Sequence, residues 1–154
     1  MKPTIASLVL ITAAGPAMAG EIPLADCPAA VQATIRQNLR GGLLDEVESY
    51  SIQGKELYIA EVEFPDDREL KIHVAADGAL IKIREETALA EIPEVVRKAI
   101  DSKLGDGTLD DVEKETVGRT VTFHVEIERE GAPDLNLVID AEGGILSEVE
   151  DSED

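Results

Sequence analysis

The segment PAAVQATIRQNL, residues 28–39, is followed 65 positions later by PEVVRKAIDSKL, residues 93–104. In both segments valine, isoleucine and leucine stand three, seven and eleven positions after a proline, so they share one face of a helix. Proline suits the first helical position, where its missing N–H is not needed. The sequence therefore predicts two amphipathic helices, each at the start of one copy of a repeated unit.

The same offset continues through the residues after each helix. Residues 28–86 align with residues 93–151 without a gap. Apolar and polar residues then alternate as in half-buried strands, and Asp77-Gly78 and Glu142-Gly143 are typical of hairpin turns. The predicted fold class is α+β, with two tandem α-β-β-β-β units, each a helix packed on an antiparallel sheet. A unit of about 60 residues is marginal alone, so the two units join their sheets or pack closely.

The first 19 residues are typical of a cleaved export signal. Lys2 supplies a positive start, residues 5–14 are apolar, and Ala17-Met18-Ala19 forms a small-x-small cleavage site. This stretch is too short for a transmembrane helix, and no later apolar run could span a bilayer. We expect cleavage after Ala19 and a mature protein in the periplasm or outside the cell.

The predicted organisation follows from the signal and the repeat. The segments are a signal peptide (1–19), an N-terminal extension (20–27), a first unit (28–86), a linker (87–92), a second unit (93–151) and an acidic tail (152–154). The one cysteine, Cys27, aligns with Ile92, which indicates a small buried apolar residue. Lipidation of Cys27 or an intermolecular disulfide are the alternatives.

The balance of acidic and basic residues limits the classes of partner that the protein can bind. The chain has 14 basic and 33 acidic residues, a net charge of −19, which argues against nucleic acid and anionic membranes. It favours a protein partner with a basic surface. Two histidines and one cysteine, with no Gly-x-Ser-x-Gly motif, support no catalytic constellation, so we expect neither an enzyme nor a cofactor.

The helix start Pro-x-x-Val-x-x-x-Ile and the closing hairpins, residues 72–80 and 137–145, resemble those of PepSY-like domains. The related fold is that of the β-lactamase inhibitory proteins. This resemblance spans nearly all of the mature chain and implies a non-enzymatic exported domain. Relatives occur in protease propeptides and as binding or inhibitory modules, and the family has no catalytic residues to carry over.

The sheet face away from the helices is the candidate functional surface. Its strands place a small apolar cluster beside an acidic rim, and Glu61 faces Lys71 across a hairpin. An ordinary solvated sheet face accounts for the same pattern. The candidate partner-binding residues are Tyr50, Leu57, Ile59, Glu61, His73, His124, Glu126 and Glu128.

The sequence thus predicts an exported, non-enzymatic protein-binding module, an inhibitor or chaperone-like factor of an envelope or secreted protein, that docks through this face. The alternative is an acidic cation (calcium) or small-ligand binding protein of the periplasm. The acidic segments 106–111 and 140–143 do not have the spacing of an EF-hand loop. The two histidines lack a clear third ligand for zinc, so no metal site is predicted. The oligomeric state stays open.

Overall fold

The structure, a computed structural model, describes residues 18–151. Within that range the strands form one antiparallel sheet whose order follows the sequence. The strands are β1 (Met18–Glu21), β2 (Leu43–Ile52), β3 (Lys55–Glu63), β4 (Glu69–Ala75), β5 (Leu80–Glu86), β6 (Thr108–Val117), β7 (Thr120–Glu128), β8 (Asp134–Asp140) and β9 (Ile145–Asp151). The helices are α1 (Ala29–Gln37) and α2 (Glu94–Leu104), each preceded by one turn of 3₁₀ helix, Leu24–Asp26 and Leu89–Glu91.

The predicted fold class is wrong. The chain is a nine-stranded antiparallel sheet with two short helices, not two tandem helix-on-sheet units. The sheet is continuous because β5 and β6 pair, from Ile83 opposite Thr116 to Glu86 opposite Glu113. An unpaired edge strand leaves a row of N–H and C=O groups without partners, and this pairing removes two such edges. Alternation in the sequence predicts which face of a strand is buried, but not which edges meet.

Each helix packs its apolar stripe on the same face of the sheet. Val31 and Ile35 of α1 and Val96 and Ile100 of α2 are buried. The prolines were predicted at the first helical position, but both stand one residue earlier, at the N-cap. There the Pro28 carbonyl still accepts the N–H of Gln32, at 3.0 Å. The proline therefore starts the helix without occupying a helical position.

The core consists of two apolar clusters, one under each helix. The strand residues of the first are Val47, Tyr58, Ala60, Val62, Leu70, Ile72, Val74 and Ile83. Those of the second are Val112, Phe123, Val125, Ile127, Leu135, Leu137 and Ile139. Corresponding elements lie 65 positions apart, β2–β5 against β6–β9. We call residues 18–86 the first half and residues 87–151 the second half.

Two hairpin turns contact the helices through glycines. Gly78 has a φ of +87°, and a Cβ atom at that position would lie 2.6 Å from the Cβ of Ala30. Gly143 has a φ of +88°, and its Cβ would lie 2.7 Å from the carbonyl oxygen of Val95. The hydroxyl of Thr34 donates to the carbonyl of Gly78 at 2.6 Å. Glycine is needed here because both the backbone angle and the close approach exclude a side chain.

The structure has a strand that the sequence did not indicate. β1 spans the end of the predicted signal peptide and the start of the N-terminal extension, and it pairs with β2 from Met18 opposite Ser51 to Glu21 opposite Glu48. Most of the predicted signal peptide, residues 1–17, and the acidic tail lie outside the described residues. Cleavage after Ala19 stays a prediction, and it would remove two of the four paired residues of β1.

Cys27 is buried in the first core cluster, 4% exposed. Burial raises the pKa of its thiol, and the charge of Asp26 raises it further. The side chain fills an apolar position, as the alignment with Ile92 indicated, because Ile92 lies in the corresponding place under α2, 2% exposed.

Among residues 18–151, neither helix has the length or the apolar character needed to cross a bilayer.

Candidate functional site

Among residues 18–151, no helix lies on the face of the sheet opposite α1 and α2, and we call this face the open face. Along β3, β4 and β7 its side chains alternate with buried ones, so strand geometry alone decides which residues it presents. All eight predicted residues lie on this face: Tyr50, Leu57, Ile59, Glu61, His73, His124, Glu126 and Glu128. Their role in partner binding stays a prediction.

The predicted apolar cluster lies at one side of the open face, in the first half. Tyr50 stands directly opposite Leu57, and Ile59 lies between Glu48 and His73 on the neighbouring strands. All three apolar side chains are half-buried. The Tyr50 hydroxyl donates to Glu48 at 2.5 Å, and this hydrogen bond is the main cause that raises the pKa of the Tyr50 phenol. Tyr50 therefore links the apolar cluster to the acidic side chain of Glu48.

An acidic group borders this cluster. The carboxylate oxygens of Glu46, Glu48 and Glu61 lie within 4.8 Å of one another. Burial raises the pKa of Glu46, and repulsion from Glu61 and Glu48 raises it further. The predicted cross-strand pair is confirmed, because Lys71 Nζ lies 3.0 Å from Glu61 Oε1. Lys71 therefore neutralises one of the three carboxylates.

The middle of the open face is a network of ion pairs across the β5–β6 pairing. Arg84 contacts Glu113 at 3.1 Å and Glu115 at 2.9 Å, and Lys82 contacts Glu115 at 3.1 Å. Arg84 Nη2 also lies 3.1 Å from His124 Nδ1. The basic groups of β5 are thus neutralised within the chain. Sequence reasoning missed this network because it depends on which strands meet.

The two histidines lie on either side of this network. Burial lowers the pKa of His73 to about 4, with help from the charges of Lys82 and Arg84. Burial and Arg84 also lower the pKa of His124. Within the described part of the chain, neither Nε2 atom has a hydrogen-bond partner. The lowered pKa values favour the neutral form of both rings near pH 7.

A groove of about 270 Å³ lies in the second half of the open face. We call it the second-half groove. Asp111 faces Glu126 across β6–β7, and Glu126 faces Asn136 across β7–β8. In the range 18–151, no basic nitrogen lies within 4 Å of the Asp111 or Glu126 carboxylate. Burial raises the pKa of Glu126, as do the charges of nearby carboxylates such as Asp110 and Asp134. The sequence indicated Glu126 for this face but not Asp111, because the bulge between Leu109 and Asp111 hides the alternation of β6.

A second cavity, of about 550 Å³, opens on the helix side where the chain passes from β5 to α2. Phe123 and Val121 give it an apolar wall, and Lys114 lines it. An ion pair of 2.7 Å between Arg40 and Glu85 borders it. Its lining mixes both signs of charge, so it favours no single class of ligand.

The acidic turn at Asp140 is explained by the backbone. Asp140 Oδ1 accepts hydrogen bonds from the N–H groups of Glu142, at 3.0 Å, and Gly144, at 2.7 Å. This is a turn-capping role for an aspartate. Its carboxylate is engaged in the hairpin itself.

The comparisons with known proteins identify a fold. No family model matches the chain, and no curated protein matches it. A protein of Bacteroides eggerthii assigned to the periplasm matches with a TM-score of 0.67 and 12% identity, covering 80% of this chain and 88% of the other. A DUF2874 family protein of Bacteroides uniformis matches with a TM-score of 0.65 and 16% identity, over 80% and 89% of the two chains. A BLIP-like protein of Bacteroides fragilis, similar to the β-lactamase inhibitory proteins, matches with a TM-score of 0.64 and 20% identity, over 88% and 93%.

The chain has the fold of these BLIP-like and DUF2874 proteins. The predicted resemblance to the β-lactamase inhibitory fold is thereby confirmed at the level of fold. Membership of the PepSY-like family and descent of the two halves from one repeated unit stay predictions.

Proposed function

We propose that this chain is a non-enzymatic periplasmic module that binds a basic protein through its open face. One observation carries the proposal. The basic groups at the centre of this face, Lys82 and Arg84, are already neutralised by Glu113 and Glu115, whereas carboxylates on both sides keep excess negative charge. A net charge of −19 would speed encounter with a basic surface.

The composition of the open face supports binding of modest affinity. Tight interfaces usually depend on aromatic and arginine anchors, whereas this chain has two tyrosines, two phenylalanines and no tryptophan. The apolar cluster of Tyr50, Leu57 and Ile59 supplies the area that excludes water, and the carboxylates supply orientation. Inhibition, if the partner is an enzyme, would occur by occlusion without covalent chemistry.

Two further observations support the proposed periplasmic location and the proposed binding role. The predicted export signal and a neighbour assigned to the periplasm favour a periplasmic site. A neighbour named for its likeness to an inhibitory protein favours a binding role, at the level of fold analogy. A common origin of the two halves would explain why their elements recur at one offset.

The test is a pull-down from periplasmic extract of the source organism at low and high salt, read by mass spectrometry. We expect a basic protein to bind at low salt and to be lost at high salt. Ile59→Lys and Glu126→Lys should weaken its capture. The matched controls Leu89→Lys and Asp101→Lys make the same changes at exposed positions off the open face. They should leave capture unchanged. Equal capture by open-face and control variants would contradict the proposal.

Cation binding is the second candidate function, and the group of Glu46, Glu48 and Glu61 is the observation that favours it. Oxygen ligands this close suit a hard cation such as Ca²⁺. Calcium should then raise the melting temperature beyond what sodium does at equal ionic strength. Glu46→Gln should remove this increase, and Glu94→Gln on α2 should keep it. No difference between the two cations would contradict this function.

A further inference from the structure

The open face contains the same row of positions twice. In the first half, Glu46 faces Glu61 and Glu61 faces Lys71. In the second half, 65 positions later, Asp111 faces Glu126 and Glu126 faces Asn136. Strand register is therefore the same in the two rows. The chemical difference that matters is the third position, which is a lysine in one half and an uncharged amide in the other.

That difference changes the charge of the row. Lys71 Nζ lies 3.0 Å from Glu61, so the first row contains its own cation. In the second row, among the residues that the structure describes, no basic nitrogen lies within 4 Å of Asp111 or Glu126. The shorter Asn136 side chain borders the groove of about 270 Å³ that holds these carboxylates.

We propose that the second-half groove binds one lysine or arginine side chain of the partner, in the place that Lys71 occupies in the first half. This proposal rests on the proposed function, whose partner it describes more closely. The groove gives the cation two carboxylates and an amide oxygen as acceptors. An ammonium or guanidinium group makes its strongest hydrogen bonds with such charged acceptors.

The charges around the groove favour this occupant over a second copy of the chain. Arg84 lines the groove but is engaged by Glu113 and Glu115, at 3.1 and 2.9 Å, so it leaves Asp111 and Glu126 unneutralised. Burial raises the pKa of Glu126, and the charges of neighbouring carboxylates such as Asp110 and Asp134 raise it further. A second copy with a net charge of −19 would be repelled. A basic segment of a partner would instead relieve the repulsion among the carboxylates of the groove.

The test uses a hexalysine peptide as the probe and two-dimensional NMR as the readout. We expect the peptide to shift the side-chain amide signal of Asn136 and the backbone signals of Glu126 in the wild type. Asn136→Lys places a lysine opposite Glu126 and should weaken binding at least tenfold. Asn136→Gln keeps the amide and should stay within about threefold of wild type. Ser102→Lys adds the same charge on α2 and controls for net charge.

The outcomes separate this inference from the proposed function. If the wild type binds hexalysine and Asn136→Lys binds it equally well, the groove is not the site, although the open face can still be. Shifts confined to Glu46, Glu48 and Glu61 would also overturn the inference. If the peptide does not bind at any salt concentration, this inference fails, while the pull-down decides the proposed function separately.

Discussion

The two halves of the sheet agree more closely on their buried side than on their open side. Under the helices, Ile72 corresponds to Leu137 and Val74 to Ile139, so apolar volume is retained. On the open face, carboxylates recur, since Glu61 corresponds to Glu126. Other pairs change in character: Ile59 with His124, Tyr50 with Glu115, Lys71 with Asn136, and His73 with Val138. The buried side is constrained by packing, since each helix must cover a similar apolar surface. The open side is free of that constraint, and its differences are where function is expected.

The largest expected effect tests whether the halves unfold together. Ile72→Ala and Leu137→Ala each empty a fully buried position and should lower the free energy of unfolding by about 2–5 kcal/mol. Both tyrosines, Tyr50 and Tyr58, lie in the first half, so their fluorescence reports that half alone. In Leu137→Ala, tyrosine fluorescence and far-UV circular dichroism should still change at one shared denaturant concentration. A tyrosine transition at the wild-type midpoint would mean that the halves are independent.

The next effect tests the contact of each hairpin with its helix. Gly78→Ala and Gly143→Ala combine a positive φ with a clash against the helix and should each cost about 1–3 kcal/mol of unfolding free energy. Gly54 has a φ of +74° and open space around it, so Gly54→Ala measures the backbone cost alone. Urea denaturation of the three variants makes the comparison. Equal losses at Gly54 and Gly78 would remove the helix contact as a cause.

A smaller effect concerns the pH dependence of stability. It arises from His73 in the first half and is absent at Val138, the corresponding residue of the second half. The pKa of His73 falls from 6.5 to about 4 on folding, so between these values the unfolded chain binds the additional proton. Acidification through this range therefore destabilises the fold. Charged groups around the ring are Lys71, Lys82, Arg84 and Glu115.

His73→Val should reduce this loss of stability by about 1–2 kcal/mol, allowing for solvent screening of a half-buried ring. Unfolding free energies at pH 7.5 and pH 4.5, measured for wild type and variant, check it. An unchanged pH dependence would mean that His73 titrates as it does in the unfolded chain.

The smallest effect on stability is expected at the ion pair of the first half. Lys71→Asn reproduces the second-half residue and should change the unfolding free energy by less than about 1 kcal/mol, because Lys71 is partly exposed. It should also open a second position for hexalysine, beside Glu61. Denaturation and peptide titration of this variant test the two statements, and a loss above 2 kcal/mol would show that Lys71 holds the sheet together.

Local features of the fold followed from the sequence, and the long-range ones did not. The valine–isoleucine spacing predicted both helices, and strand alternation predicted which face holds His73 and Glu126. The sequence left open whether the two units join their sheets, and it did not identify β5 and β6 as the strands that pair, because it specifies faces more strongly than edges. The ion-pair network of the open face was missed for the same reason, because Arg84 lies beside Glu115 only when β5 and β6 pair. Asp111 was missed because the bulge between Leu109 and Asp111 places Leu109 and Val112 on the same side of β6 and so hides the alternation in the sequence.

The most direct test is the double variant Lys71→Asn/Asn136→Lys, which exchanges the two rows without changing composition or net charge. Chemical shift mapping with hexalysine would locate the binding site in this variant and in the wild type. We expect the site to move from Asp111 and Glu126 in the second half to Glu46 and Glu61 in the first. A site that stays in the second half, with the fold intact by circular dichroism, would contradict the claim that the position of one lysine decides where this face binds a cation.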